Sequence, residues 1–186
     1  MPQTARTTGL LCAMTALALT ACGDSAEVAD PADAEQVAAL ADSLVKPQPG
    51  EYEVASELIE FQLPGIPADQ AEMMRGIMEG GFSQTTTYCL TAEQAEKGWQ
   101  DAVEGMQQAD QDCEYSKFET AGNTLTASMT CTQDDGTVAQ VDMTGDLAET
   151  SQDITMAMSG KSPEMPGGEM QMKLRMKSTR IGECAA

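Results

Sequence analysis

The stretch CEYSKFETAGNTLTASMTC, residues 113–131, decides the fold because it has the form of a single β-hairpin. Gly122 lies midway between Cys113 and Cys131, so a hairpin that turns at residues 121–123 sets the two cysteines directly opposite each other. Directly opposite residues of an antiparallel pair have Cβ atoms about 4.5–5.5 Å apart, which is close to disulfide geometry. The stretch therefore predicts two antiparallel strands and a cross-link between them.

Alternation of apolar and polar residues continues from this hairpin to residue 177. The turn signal Asp134-Asp135-Gly136 separates two of the alternating segments. Period two over consecutive segments indicates a sheet with one buried and one solvated face. The residues predicted to face inward are Leu125, Ala127, Met129, Ala139, Val141, Met143, Leu147, Ile154, Met156, Met158, Met170, Met172, Leu174 and Met176.

Two further strands and a methionine-rich helix are predicted before the hairpin. Residues 51–63 alternate first in one phase and then in the other, which predicts a bulge or bend. Residues 82–90 contain three consecutive threonines and form the second strand. Between them, residues 68–79 predict a short helix that either plugs the core or covers an open sheet or cavity as a flap.

One main helix is predicted to follow the second strand. Thr91 and Gln94 have the spacing of a capping box. One helical face then carries Ala95, Trp99, Ala102, Val103 and Met106. We therefore expect an α+β fold, in which a strongly curved antiparallel β-sheet or partly closed barrel of about six to seven strands packs on this helix.

The N-terminal residues have the features of a lipoprotein signal peptide. An apolar run at residues 9–19 is too short to span a membrane and precedes Leu19-Thr20-Ala21-Cys22, which matches the bacterial lipobox. We expect residues 1–21 to be a signal peptide and Cys22 to be the lipidated residue; the alternative is a plainly secreted protein. Residues 22–48 are expected to form an acidic linker with a short helix, and residues 49–186 a single α+β domain.

Four cysteines remain once Cys12 leaves with the signal peptide and Cys22 carries the lipid. In an oxidising compartment they predict two disulfides. Because the hairpin pairs Cys113 with Cys131, the second pair is Cys89 with Cys184. A four-thiolate metal site is the rival interpretation, but no C-x-x-C pair is present.

The charge of the chain excludes one class of partner. Ten Lys and Arg residues stand against 30 Asp and Glu residues, a net charge of −20. Phosphate recognition depends on Lys and Arg, so we expect no nucleic acid partner. A charge of this size also keeps a protein soluble, and we expect a monomer.

The sequence lacks histidine and several well-known catalytic and cofactor-binding motifs. It contains no histidine, which removes Ser-His-Asp and Cys-His systems and imidazole metal sites. Its glycines follow neither a P-loop nor a dinucleotide-binding pattern. Residues 43–46 match S-x-x-K, but neither S-D-N nor K-T-G follows. We therefore expect no catalytic residue, no cofactor and no resident metal.

Methionine is the one residue type whose excess has a chemical meaning, with 14 in the chain. Methionines fill irregular cores and line adaptable apolar pockets, and their thioethers are suited to Cu(I). All three interpretations stay open at this stage. The candidate pocket lining comprises Met73, Met78, Met156, Met158, Met170 and Met172.

Short motifs along the chain carry a resemblance to a known family. They are Pro49-Gly50-Glu51-Tyr52-Glu53, Cys89-Leu90-Thr91-Ala92-Glu93-Gln94, Asp112-Cys113-Glu114-Tyr115, Cys131 and Arg180-Ile181-Gly182-Glu183-Cys184. In this order and spacing, over residues 47–184, the chain resembles the bacterial domain of unknown function 3617 family, whose members are small exported proteins. The resemblance implies fold and export, and it implies no activity.

These observations lead to one functional expectation and two alternatives. We expect a non-enzymatic lipoprotein that is anchored to a membrane of the cell envelope, faces the periplasm, and acts as a binding or structural module for an apolar ligand or an envelope protein. The first alternative is a Cu(I)-binding envelope protein that uses clustered methionines, and the second is an enzyme. The sequence does not distinguish the inner from the outer membrane.

Overall fold

A single antiparallel sheet carries the fold in the computed structural model, which describes residues 25–31, 33–101, 103, 112–161 and 167–185. Eight strands in the order β1-β4-β5-β6-β7-β8-β2-β3 form the sheet within these residues. Their bounds are β1 Ser25–Glu27, β2 Gly50–Gln62, β3 Thr85–Leu90, β4 Asp112–Ala121, β5 Thr124–Thr132, β6 Val138–Leu147, β7 Ser151–Lys161 and β8 Glu169–Gly182.

The predicted α+β class with an antiparallel sheet is confirmed. The described residues contain eight strands instead of the expected six to seven, and of the two predicted alternatives the partly closed barrel is wrong. The additional strand is β1, which is too short at three residues to show an alternating pattern. It pairs with β4 and lies at one edge, while β3 lies at the other and pairs with β2. The two edges are not paired with each other, so the sheet is open.

The expectation of one main helix differs in detail from the structure, in which the described residues contain three helices. These are α1 Ala34–Asp42, α2 Ala68–Phe82 and α3 Ala92–Lys97. The predicted capping box of Thr91 and Gln94 is present at the start of α3. Gly98, at φ +59°, then ends the helix, since glycine adopts the left-handed conformation readily.

Helical backbone resumes at Gln100 and Asp101 and includes Val103. The predicted helix is thus interrupted at Gly98 and Trp99. Ala102 and Met106, which were predicted on the same helical face, lie outside the described residues.

Residues 25–48 belong to the stretch that was expected to be an acidic linker with a short helix. In the structure they contribute strand β1 to the sheet and helix α1, which packs on the sheet. Asp33 caps α1 by accepting hydrogen bonds from the backbone N–H groups of Glu35 and Gln36 at 2.9 and 3.4 Å. Val37 and Ala41 are fully buried among sheet residues because they lie on the face of α1 that contacts the core. None of the described helices is long and apolar enough to cross a membrane.

The inner face of the sheet has two apolar clusters, and different helical segments pack on each of them. Under α1 and the Trp99 segment lie residues of β4 to β7, among them Tyr115, Phe118, Leu125 and Ile154. Under α2 lie Leu58, Phe61, Leu63, Met172 and Leu174. The opposite face is polar, which fulfils the prediction of one buried and one solvated face.

Both predicted disulfides are present. Cys89 is bonded to Cys184 with the Cα atoms 5.4 Å apart, and Cys113 to Cys131 with the Cα atoms 4.0 Å apart. The first bond ties the edge strand β3 to the segment that follows β8, and the second joins β4 to β5 as direct cross-strand partners.

Candidate apolar binding site

Three methionines form the floor of a cavity on the inner face of the sheet. Met143 on β6 and Met156 on β7 are direct cross-strand partners. Met176 on β8 faces Ile154, two residues along β7 from Met156. The period of two places all three side chains on the same face, and all three line the cavity.

Aromatic side chains form the wall of the cavity opposite the methionines. Tyr115 and Phe118 from β4 meet edge to face, with ring centroids 5.7 Å apart and ring planes at 88°. Trp99 lies over the sheet, and its indole N–H donates to the Val45 carbonyl at 3.0 Å. That hydrogen bond satisfies the one polar atom of the indole and helps to fix the ring in the lining of the cavity.

The cavity has a volume of about 260 Å³, and no charged side chain lines it among the described residues. Its lining is Trp99, Val103, Tyr115, Phe118, Leu125, Ala127, Met143, Ile154, Met156 and Met176. Burial raises the pKa of the Tyr115 hydroxyl above its ordinary value, so this group stays neutral. The arrangement can hold an uncharged apolar molecule.

A second cleft of about 340 Å³ adjoins the cavity on the side of α2. The two spaces share Met156 and Met176 as lining residues. Among the described residues, the polar side chains of Ser56 and Gln84 line this cleft beside the C-terminal end of α2. The site thus has an apolar interior and a partly polar outer part.

Helix α2 bounds the cleft but buries little of itself. Met74 and Met78 pack against the cluster of Phe61 and Leu174, whereas Met73 and Ile77 are 64% and 69% exposed. No residue of α2 is buried. The helix therefore contacts the sheet through a narrow face that includes Met74 and Met78. A helix that acts as a flap would have so small a contact.

The structure separates the six methionines that the sequence pointed to. Met156 lies in the cavity. Met158, Met170 and Met172 belong to the cluster under α2, together with Met78, and Met73 projects into solvent. The other candidate site residue, Cys22, lies outside the described residues.

The sequence-based selection omitted Met143 and Met176. Their alternation with polar neighbours placed both on the inner face, which was the available signal. The alternating pattern does not show which strands are neighbours in the sheet. Because β7 lies between β6 and β8, Met143 and Met176 flank Met156. The part of the chain that the structure describes contains no group of three or more Cys, Asp or Glu residues placed to hold a metal ion.

Comparison with known proteins places most of the chain in one family. A family model described as "Protein of unknown function (DUF3617)" matches residues 47–184. No match was found among curated proteins or among solved structures.

Proposed function

The chain belongs to the domain of unknown function 3617 (DUF3617) family, and on that premise we propose that it is a non-enzymatic module that binds a small, uncharged apolar ligand between the sheet and its helical covers. The observation that carries this proposal is the cavity of about 260 Å³ whose lining contains no charged side chain among the described residues. An engineered apolar cavity of about 150 Å³ is already large enough for benzene. An apolar cavity binds water poorly, because water finds no hydrogen-bonding partners there.

The proposal includes a location. In it, Cys22 carries a lipid anchor and the domain faces the periplasm. Strand β1 begins at Ser25, three residues beyond Cys22. Three residues span at most about 10 Å, so the sheet would lie close to the bilayer. Apolar molecules partition into that bilayer, which makes it a natural source of the ligand.

The first test uses Trp99, which is the only tryptophan in the chain and lines the cavity. The uncharged dye N-phenyl-1-naphthylamine is titrated into the oxidised protein while the Trp99 emission is recorded. We expect saturable quenching with a 1:1 stoichiometry. Linear, unsaturable quenching would reject the proposal.

A matched pair of variants locates the binding. Ala127→Leu adds bulk to the lining of the cavity, and Ala157→Leu adds the same bulk on the opposite face of the sheet, where Ala157 pairs with Asp142 and Lys173. We expect the first variant to abolish dye binding and the second to preserve it. Equal affinities of the two variants would place the dye elsewhere.

A second candidate function is Cu(I) binding, which the convergence of Met143, Met156 and Met176 at one cavity favours. Three thioethers are soft ligands of the kind that Cu(I) selects. Replacement of all three by leucine removes the sulfur atoms and keeps the apolar volume. Loss of Cu(I) binding with retention of dye binding would support both sites, whereas unchanged Cu(I) binding would reject the thioether site.

A further inference from the structure

Strand β3 forms an open edge of the sheet. It pairs with β2 on one side only, and no other described strand lies beside it. Five of its six residues are exposed, and only Leu90 is partly buried. The edge therefore presents backbone groups of β3 to solvent.

The register shows which backbone groups are available. The Ser56 N–H donates to the Gln84 carbonyl at 2.9 Å, immediately before β3 begins. Hydrogen-bonded and non-hydrogen-bonded pairs alternate along an antiparallel ladder, so Thr86, Tyr88 and Leu90 bond to β2. The N–H and C=O groups of Thr85, Thr87 and Cys89 consequently point away from the sheet.

The devices that usually protect an edge are missing from β3. Protected edges carry lysine or proline, contain a bulge, or are very short. The sequence of β3 is TTTYCL, and its pairing with β2 continues without a register shift from residue 85 to residue 90. The other edge strand, β1, has only three residues and carries Glu27. The disulfide from Cys89 to Cys184 also holds the end of β3 in place.

The charge beside this edge indicates what would bind to it. Glu53 and Glu51 on β2 are the cross-strand partners of Thr87 and Cys89, so they share a face with these residues. Neither glutamate forms an ion pair with any residue that the structure describes. A segment with Lys or Arg at alternate positions could bring these cations towards both carboxylates over the threonine side chains. A second copy of the chain would instead bring a further net charge of −20.

We propose that β3 is a docking edge that adds an extended, Lys- or Arg-bearing segment of another protein to the sheet as a ninth strand. The backbone groups of Thr85, Thr87 and Cys89 supply the hydrogen bonds, and Glu51 and Glu53 select the positive charge. Strand addition of this kind takes its affinity from the main chain and its specificity from alternate side chains. This edge does not depend on the apolar cavity.

The test measures binding of two labelled synthetic peptides to the oxidised protein by fluorescence anisotropy. One peptide alternates Lys with Thr, and the other alternates Glu with Thr. Thr87→Pro removes one outward N–H without breaking a bond to β2, and Thr87→Val keeps that N–H as the matched control. We expect the lysine peptide to bind the control normally and to bind Thr87→Pro about tenfold or more weakly. We expect the glutamate peptide not to bind.

A second variant keeps the proposal testable if Thr87→Pro does not fold. Thr87→Lys retains every backbone group and places a positive charge on the edge, so the lysine peptide should again bind more weakly. Glu53→Gln should weaken the binding of the lysine peptide and reduce the salt dependence of that binding. Equal binding of both peptides, or unchanged binding to Thr87→Pro, would overturn the proposal. If the protein dimerises without any peptide and Thr87→Pro abolishes that dimer, the edge binds a second copy of the chain instead.

Discussion

Cys113 and Cys131 lie directly opposite each other because a two-residue turn, in place of the predicted turn at residues 121–123, and a bulge in β4 compensate for each other. The turn between β4 and β5 contains two residues, Gly122 and Asn123, since Ala121 pairs with Thr124. Gly122 has φ +59° and is the first central residue, which suits a type II′ turn. A bulge at Ser116 then adds one residue to β4 and restores the register at Tyr115 and Cys113.

This compensation predicts that Ser116 can be deleted. Removing the bulged residue leaves Tyr115 opposite Met129 and Cys113 opposite Cys131, so the disulfide should form and the free energy of unfolding should fall by about 1 kcal/mol or less. Deletion of Glu119 is the control, because it must either misplace Cys113 or turn the buried Phe118 towards solvent. We expect that deletion to cost about 3 kcal/mol or more. Disulfide mapping and urea denaturation measure both outcomes; equal losses in the two variants would contradict the compensation.

Ser178 is predicted to be a destabilising residue. It is 6% exposed, and its hydroxyl has no hydrogen-bond partner among the described residues. An unsatisfied buried hydroxyl costs about 1–3 kcal/mol, so Ser178→Ala should raise the free energy of unfolding by about 1 kcal/mol. Ser128→Ala is the matched control: its hydroxyl donates to Asp142 at 2.6 Å, and its loss should lower stability. Urea denaturation gives both values, and a less stable Ser178→Ala variant would show that the hydroxyl is satisfied.

The ion pair of Asp153 with Arg175 should contribute to the loss of the protein's stability in acid. Arg175 donates to both of its carboxylate oxygens, at 2.7 and 2.6 Å, and these hydrogen bonds hold the pKa of Asp153 below its ordinary value. A depressed folded-state pKa contributes stability that is present above the unfolded-state pKa and is lost as pH falls through the folded-state pKa. The contribution should therefore be complete above roughly pH 5 and decline below roughly pH 4.

Asp153→Asn and Arg175→Gln should each flatten the decline of stability in that acid range. The double variant should add little to either single one, because both remove the same pair. Denaturation midpoints measured from neutral pH to acid test this, and an acid slope of Asp153→Asn that equals that of the unsubstituted protein would contradict it.

Tyr52 predicts a hydrogen bond that contributes to stability. Its side chain is 0% exposed, and its hydroxyl lies 2.8 Å from the Gln48 carbonyl oxygen and 3.0 Å from that of Glu149. Tyr52→Phe removes the donor to both carbonyls, of which that of Glu149 still accepts from the Gln48 N–H at 2.7 Å. The free energy of unfolding should therefore fall by about 1 kcal/mol. Tyr88 stacks on the Tyr52 ring at 5.7 Å but is 41% exposed. Tyr88→Phe should consequently change stability by about 0.5 kcal/mol or less. An equal loss in the two variants would show that the buried Tyr52 hydroxyl contributes no more than an exposed one.

Much of the sheet could be predicted from local pattern, and the candidate site only in part. Alternation identified the inner residues of β5 to β8, and it correctly indicated a bulge in β2, which lies at Ile59. The alternation of Ile59, Phe61 and Leu63 predicts that Ile59 faces inward, whereas the structure buries Leu58 and leaves Ile59 41% exposed. The phase change in the sequence locates a bulge only to within a few residues, because both neighbours are apolar.

The sequence by itself determined the faces of the strands and the pairing of the cysteines. Both are consequences of the two-residue period and of the spacing along one hairpin, which are local properties of the chain. Only the tertiary structure decided that residues 25–48 supply strand β1 and a helix that packs on the sheet, and that the sheet stays open at β3. It also decided that a cavity remains between the part of the sheet under α1 and Trp99 and the part under α2. Those features depend on how segments distant in the sequence pack together, and an apolar residue has the same pattern whether a neighbour fills the space above it or leaves it open.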